Sequence, residues 1–275
     1  MSLKIISFSL FGNQECYREG VLVNIKAAKE HFPDWVCRFY VDETLFDEVA
    51  EQIIEHGGDV VSCQTNTSGE GLFWRFYAAD DLSADAVIVR DTDSVLCARD
   101  KSAVDEWLKS GKKFHIIRDH PSHRAPIQGG LWGIRPGLID NMTGLIEAYF
   151  SSSIKLGYGV DQTFLANIIY SKVLHDAFIH SEYTQFKNEN VSTIDVARDG
   201  MQWLGMTYNR PEELRLAKKL YSKNDSEFGV LQYRVGAVFH YNLMNSLSTL
   251  YHRYPKHRIW VVRFKRIIRK KILTY

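Results

Sequence analysis

Short apolar runs alternate with stretches of helical periodicity along the first half of the chain. Strands are predicted for the runs "KIISFSL", "WVCRFYV", "GGDVVSC", "DAVIVRD", "KKFHIIR" and "GGLWGI", and helices between the first four, over residues 17–31, 43–56 and 69–81. This alternation predicts an α/β fold with a mostly parallel sheet covered by helices on both faces. Ligands of such sheets bind at the carboxyl ends of the strands.

The second half of the chain is predicted to be mainly helical. The segments "IDNMTGLIEAYFSSS" and "VDQTFLANIIYSKVL" predict helices, and residues 210–250 show helical periodicity with polar breaks. One main domain is therefore expected over residues 1–206, followed by a helical segment over residues 207–275. Apolar residues make up 45% and charged residues 24% of the chain, which is typical of a folded globular protein and argues against disorder.

The four cysteines lie far apart, and no stretch is apolar and long enough to span a bilayer. Neither a disulfide framework nor a zinc cluster is therefore expected, and the predicted location is the reducing cytoplasm.

Charge is distributed unevenly. All 33 acidic residues lie at or before Glu227, whereas 10 of the 34 basic residues follow it. As a helix, residues 258–275 would carry one apolar and one basic side, a pattern typical of a helix at a membrane surface. Peripheral contact with anionic lipid on the inner face of the cytoplasmic membrane is the expectation, and docking on the main domain is the alternative. Nucleic acid is not expected, because the acidic main domain would repel its phosphates.

Two carboxylates, Asp91 and Asp93, follow directly after the predicted strand "DAVIVRD". A hard divalent cation such as Mg²⁺ or Mn²⁺ takes oxygen ligands, and carboxylates two residues apart in a turn can reach one ion. A solvated turn produces the same pattern. The position at a strand end favours the metal.

The order and spacing of four segments resemble bacterial GT-A glycosyltransferases of lipopolysaccharide and capsule gene clusters, and more distantly glycosyltransferase family 8. The segments are "FWRFYAADD", "VIVRDTDSVLCARDKSAVDEW", "KFHIIRDHPSHRAPIQGGLWGIRPG" and "YGVDQTFLANIIY", and the resemblance covers residues 1–206. It implies a Rossmann-like GT-A domain that uses Mn²⁺ or Mg²⁺. The implied reaction moves a sugar from a nucleotide sugar, with a UDP-hexose expected, to a cell-surface glycan or a lipid-linked acceptor.

The resemblance also implies a metal site. Asp93 is the expected direct ligand, and Asp91 is expected nearer the ribose and the metal-bound waters. A downstream histidine normally completes the set, and the family order favours His180 over His175. A single histidine at a helix end, bonded to a backbone carbonyl, is the ordinary alternative.

Asp161 and Gln162 resemble the pair that lies beside the anomeric carbon in retaining members of the family. They predict retention of anomeric configuration. Asp161 also precedes an apolar helix, so a role as its N-cap is the structural alternative. Asp119 is the reserve candidate for the carboxylate base that an inverting reaction would require.

Basic and loop residues near the aspartates are candidate donor contacts. Arg75 and Arg90 are expected where a guanidinium could meet the diphosphate, with surface ion pairs as the alternative. Asp119, His120 and His123 follow the fifth predicted strand in a proline-containing loop that could contact the donor sugar, or could simply be rigid and solvated.

Gly129 and Gly130 would let the backbone approach the sugar, although a glycine pair before a strand also suits a bulge or turn. Packing is predicted for Trp132 and for the aromatic stripe Phe73, Trp74, Phe76 and Tyr77. Val95 and Leu96 stand where relatives often carry a basic residue, which leaves the identity of the donor open.

Two other classes of protein share part of this pattern. A haloacid dehalogenase-like phosphatase also uses two aspartates after a strand, but it needs them on the first strand of its core together with a later acidic motif. A sugar-nucleotide or glycan-binding domain without turnover is the second alternative, and release of nucleoside diphosphate from a donor would separate it from the enzyme.

Overall fold

The computed structural model describes residues 3–12, 15–65, 69–152, 159–198 and 202–207. The strands are β1 (Leu3–Leu10), β2 (Val36–Asp42), β3 (Asp59–Cys63), β4 (Ala84–Val89), β5 (Phe114–Arg118), β6 (Trp132–Ile134), β7 (Ala177–Ser181) and β8 (Val191–Ser192). The α-helices are α1 (Glu15–His31), α2 (Glu43–Glu55), α3 (Ala98–Ser110), α4 (Met142–Ser151), α5 (Val160–Phe164) and α6 (Tyr170–Val173). A π-helical turn (Leu165–Ile169) joins α5 to α6.

The strands form one sheet in the order β3-β2-β1-β4-β6-β5-β7-β8. All neighbouring pairs are parallel except those of β6, which runs antiparallel to both β4 and β5. The predicted mostly parallel, Rossmann-like α/β sheet is confirmed, and all six predicted strands are present.

Apolar side chains of the central strands alternate between the two faces of the sheet. In β4, Val87 and Val89 pack into the cluster that includes α4, α5 and α6, whereas Ala86 and Ile88 pack into the cluster of α1, α2 and α3. Because both faces are covered, β4 reads as a nearly continuous apolar run. Apart from the exposed Asp85 near its start, its polar side chains come where it leaves the sheet, and this position determines where the site can form.

Local structure differs from prediction in three places. The predicted helix over residues 69–81 consists of 3-10 helices, Glu70–Leu72 and Trp74–Asp80. Helix α3 and strands β7 and β8 were not predicted. Packing was predicted correctly for the aromatic stripe, since Phe73, Trp74 and Phe76 are buried, and also for Trp132.

The helix predicted over residues 210–250, nearly all of the segment 207–275, and the basic tail 258–275 lie outside the described residues. Among the helices in the ranges given above, none combines the length and the apolar composition needed to cross a bilayer.

Candidate active site

The turn that carries Asp91 and Asp93 begins directly after β4. Between them, the Thr92 side chain is buried and its hydroxyl donates to the carbonyl oxygen of Ser9 at 2.6 Å. Ser94 closes the turn, because its backbone N–H and its hydroxyl both donate to the carbonyl oxygen of Asp91, at 3.2 and 3.0 Å. With Thr92 held against β1, the two carboxylates face a cavity beyond the strand end.

Arg75 joins two of the predicted site carboxylates. Its guanidinium lies 2.8 Å from Asp91 Oδ1 and 2.9 Å from Asp161 Oδ2, and its side chain is buried. The backbone of Arg75 is held by two serines of β1: its N–H donates to the Ser9 hydroxyl at 2.9 Å, and its carbonyl accepts from the Ser7 hydroxyl at 2.7 Å. The sequence predicted either a diphosphate contact or a surface pair, and the structure places Arg75 in a buried bridge between carboxylates.

Gly129 and Gly130 pack directly against the same carboxylates. A Cβ on Gly129 would lie 2.2 Å from Asp161 Oδ2, and a Cβ on Gly130 would lie 2.1 Å from Asp91 Oδ2. Any larger residue would displace these side chains or the backbone. The glycine pair therefore lets the backbone approach the two aspartates, and its predicted approach to the sugar stays a prediction.

Asp93 occupies a different environment from Asp91. Burial raises the pKa of Asp93 to about 6, and the negative charge of Asp91 contributes to the increase. The Thr207 hydroxyl, which donates to Asp93 Oδ2 at 3.1 Å, and the Arg75 guanidinium lower this pKa. Burial also raises the pKa of Asp161. The site is thus a crowded set of carboxylates with one buried guanidinium between two of them.

The cavity that these groups face has a volume of about 490 Å³. Its lining comes from the carboxyl end of β1, the turn after β4, the loop between β5 and β6, the start of α5 and the segment 202–207. The lining residues are Ser9, Phe11, Leu72, Arg75, Asp91, Thr92, Asp93, His120, Ser122, His123, Gln128, Gly129, Gly130, Leu131, Gly159, Asp161, Gln162, Trp203, Gly205 and Thr207.

One wall of the cavity is aromatic and uncharged. His120 stacks on Trp203 with ring centroids 4.1 Å apart and an interplanar angle of 19°. Burial lowers the pKa of His120 to about 3, and it lowers that of His123 to about 3 as well. Both imidazoles are therefore neutral near pH 7, so this wall offers hydrogen bonds and ring faces to a ligand without adding positive charge.

The structure places Arg90 away from this cavity. Its guanidinium donates to both carboxylate oxygens of Asp100, at 2.8 and 2.7 Å, and to the carbonyl oxygens of Val89 and Trp132. The predicted diphosphate contact for Arg90 is wrong, because this buried ion pair holds the guanidinium in the interior, outside the cavity lining.

Asp119 is not available as a base. It is fully buried, its carboxylate accepts two hydrogen bonds from Arg99 at 3.1 and 2.7 Å, and it also accepts from Arg198 and from the backbone N–H of Leu204. Asp119 therefore anchors the segment that carries Trp203, and the reserve assignment as catalytic carboxylate is wrong.

Neither predicted histidine ligand lies at the aspartates. His180 is fully buried on β7, with Nδ1 2.9 Å from His115 Nε2 and Nε2 3.0 Å from Glu106 Oε2. His175 is exposed in the 3-10 turn before β7. Both ring nitrogens of His180 are engaged elsewhere, so its assignment as the third metal ligand is wrong.

Asp161 and Gln162 both line the cavity, and their place beside the anomeric carbon stays a prediction. The capping alternative for Asp161 is wrong: Gly159, with φ of 78°, is the N-cap of α5, and the Asp161 carboxylate contacts Arg75.

The paired carboxylates fit a hard divalent cation. Asp91 and Asp93 present oxygen ligands from one turn, and their like charges raise the pKa of Asp93, a repulsion that a bound cation would relieve. The glycine backbone at residue 130 leaves room for the Asp91 carboxylate. In the described ranges, however, no group of three or more His, Cys, Asp or Glu side chains is placed to hold a metal.

Sequence reasoning missed several cavity residues. Ser9 lies near the end of β1 and Phe11 follows that strand. Gln128 precedes the glycine pair, and Trp203 and Thr207 belong to the segment at the predicted domain boundary. The two serines within the apolar run "KIISFSL" were the available signal, because a polar residue in a buried strand needs a partner. Thr207 lies just past the predicted boundary at residue 206, and it forms a β-bridge with Ser94.

No family model matches the chain, and no curated protein matches it in sequence. Among solved structures, a 4-diphosphocytidyl-2C-methyl-D-erythritol synthase from Anaerococcus prevotii is 10% identical with a TM-score of 0.43, and the match covers 80% of this chain and 96% of that one. A glucosyl-3-phosphoglycerate synthase from Mycobacterium tuberculosis is 17% identical with a TM-score of 0.44, covering 84% of this chain and 79% of that one.

A glycosyltransferase involved in glycosylation of the major capsid of PBCV-1 is 13% identical with a TM-score of 0.40, covering 67% of this chain and 83% of that one. All three TM-scores lie below 0.5, so no function follows from these likenesses.

Proposed function

We propose that the protein is a metal-dependent glycosyltransferase with a GT-A domain that uses a nucleotide sugar as donor. The observation that carries the proposal is the meeting of Asp91, Asp93 and Asp161 in one cavity at the carboxyl end of the central strand β4, with Gln162 on its lining. Those residues belong to two of the four segments on which the sequence resemblance depends.

Asp91 and Asp93 would hold Mn²⁺ or Mg²⁺. Asp91 Oδ1 is engaged by Arg75 and Asp93 Oδ2 by Thr207, which makes the second oxygen of each carboxylate the candidate ligand. When bound, the cation would neutralise charge on the diphosphate leaving group. The other ligands would be phosphate oxygens, water or a side chain outside the described residues, where the sequence contains His240, His252 and His257.

Asp161 and Gln162 would lie beside the reacting carbon of the sugar. The carboxylate of Asp161 is held by Arg75, and Gln162 is partly exposed on the cavity lining. A fixed carboxylate and an amide oxygen suit a centre that develops positive charge while its bond to the diphosphate breaks. The proposed outcome is retention, in which the acceptor oxygen bonds to the face that the diphosphate leaves.

The proposed donor is a UDP-hexose, and the proposed acceptor is a growing cell-surface glycan or glycolipid, as in lipopolysaccharide or capsule synthesis. The neutral wall of His120, His123 and Trp203 supports an uncharged sugar, because hydroxyl groups can bond to neutral imidazoles and a sugar ring can pack on an aromatic face.

A donor screen tests the proposal. Purified protein is incubated with Mn²⁺ and each of several sugar nucleotides, and release of nucleoside diphosphate is measured. Asp93→Asn should lower the rate at limiting Mn²⁺ by at least about 100-fold, because a neutral amide oxygen is a much poorer ligand for a hard cation. Asp85→Asn, a carboxylate change on β4 outside the cavity lining, is the matched control and should retain the rate.

Wild-type turnover by Asp93→Asn would contradict the metal assignment. Hydrolysis of phosphate monoesters, with no turnover of any sugar nucleotide, would instead support a phosphatase. Binding of a sugar nucleotide without turnover would support a non-catalytic binding domain.

The stereochemical part of the proposal has its own test. Proton NMR of the first-formed product should show the anomeric configuration of the donor. An inverted product would assign Asp161 and Gln162 to positioning alone and would require a base other than the buried Asp119.

A further inference from the structure

We infer that Asn24, on α1, is a positioning residue that sets the geometry of the Asp91 and Asp93 carboxylates from beneath the turn. The inference rests on the proposed function of that pair. Asn24 is fully buried and is not part of the cavity lining, so it acts only through the backbone that it holds.

The Asn24 amide is bonded on both its nitrogen and its oxygen. Nδ2 donates to the carbonyl oxygens of Gly20 at 2.9 Å, Thr92 at 3.1 Å and Ser94 at 2.9 Å, and Oδ1 accepts from the backbone N–H of Leu96 at 3.2 Å. The two hydrogens of Nδ2 are thus shared among three carbonyl oxygens. Three of the four contacts go to the turn after β4, so this one side chain satisfies backbone groups at residues 92, 94 and 96.

Gly20 lies one helical turn before Asn24 and brings α1 against the same backbone. A Cβ at residue 20 would lie 1.9 Å from the Thr92 carbonyl oxygen. Only glycine permits this approach, and the approach places the Thr92 carbonyl within reach of the Asn24 amide. The helix and the turn therefore meet through backbone and amide groups, without an intervening apolar side chain at this point.

The position of the Thr92 and Ser94 carbonyls determines where the flanking carboxylates lie. Thr92 separates Asp91 from Asp93, and Ser94 follows Asp93 directly. A metal site requires its ligands within about 0.5 Å of the productive geometry, and partners that orient the ligands typically account for 10–100-fold in metal affinity. Loss of the Asn24 amide would allow the turn to move, although both carboxylate groups would still be present and chemically unchanged.

The test compares Mn²⁺ affinity with stability. Mn²⁺ binding to the full chain, without donor, is titrated by electron paramagnetic resonance of the free ion, and unfolding is followed in denaturant. Asn24→Ala should weaken Mn²⁺ binding by about 10–100-fold. Asn24→Asp keeps the size and the acceptor for Leu96 N–H but cannot donate to Thr92 or Ser94, so it should show the same loss.

Val49→Ala is the control. Val49 is buried on α2 in the same apolar cluster as α1, and it is not part of the cavity lining. Its truncation should lower the unfolding midpoint while leaving Mn²⁺ affinity within about twofold of wild type, because it affects packing on that face and not the turn.

Mn²⁺ binding by Asn24→Ala equal to wild type would overturn the inference, as would an equal loss of affinity in Val49→Ala. Should Asn24→Ala fail to fold, the affinity of Asn24→Asp decides by the same criteria. If the wild type binds no Mn²⁺, both the proposed function and the role of Asn24 are contradicted. If the wild type binds Mn²⁺ and the Asn24 variants bind it equally well, only the role of Asn24 is contradicted.

Discussion

At the scale of single residues, the main feature of the candidate site is the buried Arg75 guanidinium, which pairs with two of the three carboxylates. Arg75 bonds to Asp91 and Asp161 and not to Asp93, whose described side-chain partner is Thr207. Arg75 thus fixes two carboxylates, while burial and the charge of Asp91 raise the pKa of Asp93 to about 6. Occupancy of the proposed metal site should therefore respond to small changes around Asp93.

Thr207→Val should shift the pH dependence of Mn²⁺ binding. The Thr207 hydroxyl lowers the pKa of Asp93, so its removal raises that pKa above about 6. Because the ionised carboxylate binds the metal, binding is lost as the pH falls through the pKa, and the acid limb should move to higher pH by roughly 0.5–1 unit, as expected for one lost hydrogen bond. Titrations of Mn²⁺ binding between pH 5 and pH 8 measure this shift.

Thr207→Ser keeps the hydroxyl and serves as the control, with the acid limb unchanged. An identical limb in wild type and Thr207→Val would mean that the contact at 3.1 Å does not influence Asp93 in solution.

At the scale of elements, the sequence predicted the strands well because β1, β2 and β4 are buried on both faces and read as apolar runs. The same local signal could not identify β7, since "AFIHS" is short and contains two polar residues. The sequence therefore fitted His180 either as a metal ligand or as a histidine at a helix end. On the strand, it is bonded to His115 on the neighbouring β5 and to Glu106 on α3.

Position along a strand was enough to predict that Asp91 and Asp93 lie at a cavity, and their role as metal ligands stays a prediction. Asp91 and Asp93 were identified because the end of a parallel strand is a binding position. Arg90 and Asp119 also follow directly after strands, but both form buried ion pairs with α3. Arg90 pairs with Asp100, and Asp119 pairs with Arg99. Which of several charged side chains pairs internally depends on tertiary contacts that spacing along the chain does not encode.

His180→Ala should lower stability without changing metal binding. The substitution leaves buried His115 Nε2 without its partner and opens a small cavity, so the free energy of unfolding should fall by about 1–3 kcal/mol. Denaturant unfolding measures this loss, and Mn²⁺ titration should show wild-type affinity. Weaker Mn²⁺ binding in a variant that remains folded would restore His180 as a candidate ligand.

At the scale of the whole molecule, the distribution of charge suggests two functions in one chain. Most of the acidic residues belong to the sheet domain, which also holds the proposed active site, and none follows Glu227. The basic residues after Glu227 include those of the tail 258–275, which lies outside the described residues. As a basic amphipathic helix, this tail would bind anionic lipid, with each cation near the surface contributing on the order of 1 kcal/mol. A lipid-linked acceptor would be found at that surface.

Deletion of residues 258–275 should abolish flotation with anionic vesicles and leave turnover on a soluble acceptor largely unchanged. Vesicles of neutral lipid are the control, and neither form of the protein should float with them. Continued flotation of the truncated chain would contradict the membrane role, and unfolding of the truncated chain would indicate that the tail docks on the main domain.

The antiparallel strand β6 also bears on how the chain reaches its folded state during synthesis. Val87, Ile88 and Val89 of β4 pair on one side with β1, but their partners on the other side are Ile134, Gly133 and Trp132. Until those residues leave the ribosome, the centre of the sheet has an open, apolar edge, which is the kind of surface that pairs with other chains. Nascent chains that stall before Trp132 should therefore aggregate more readily than chains in which β6 has paired with β4.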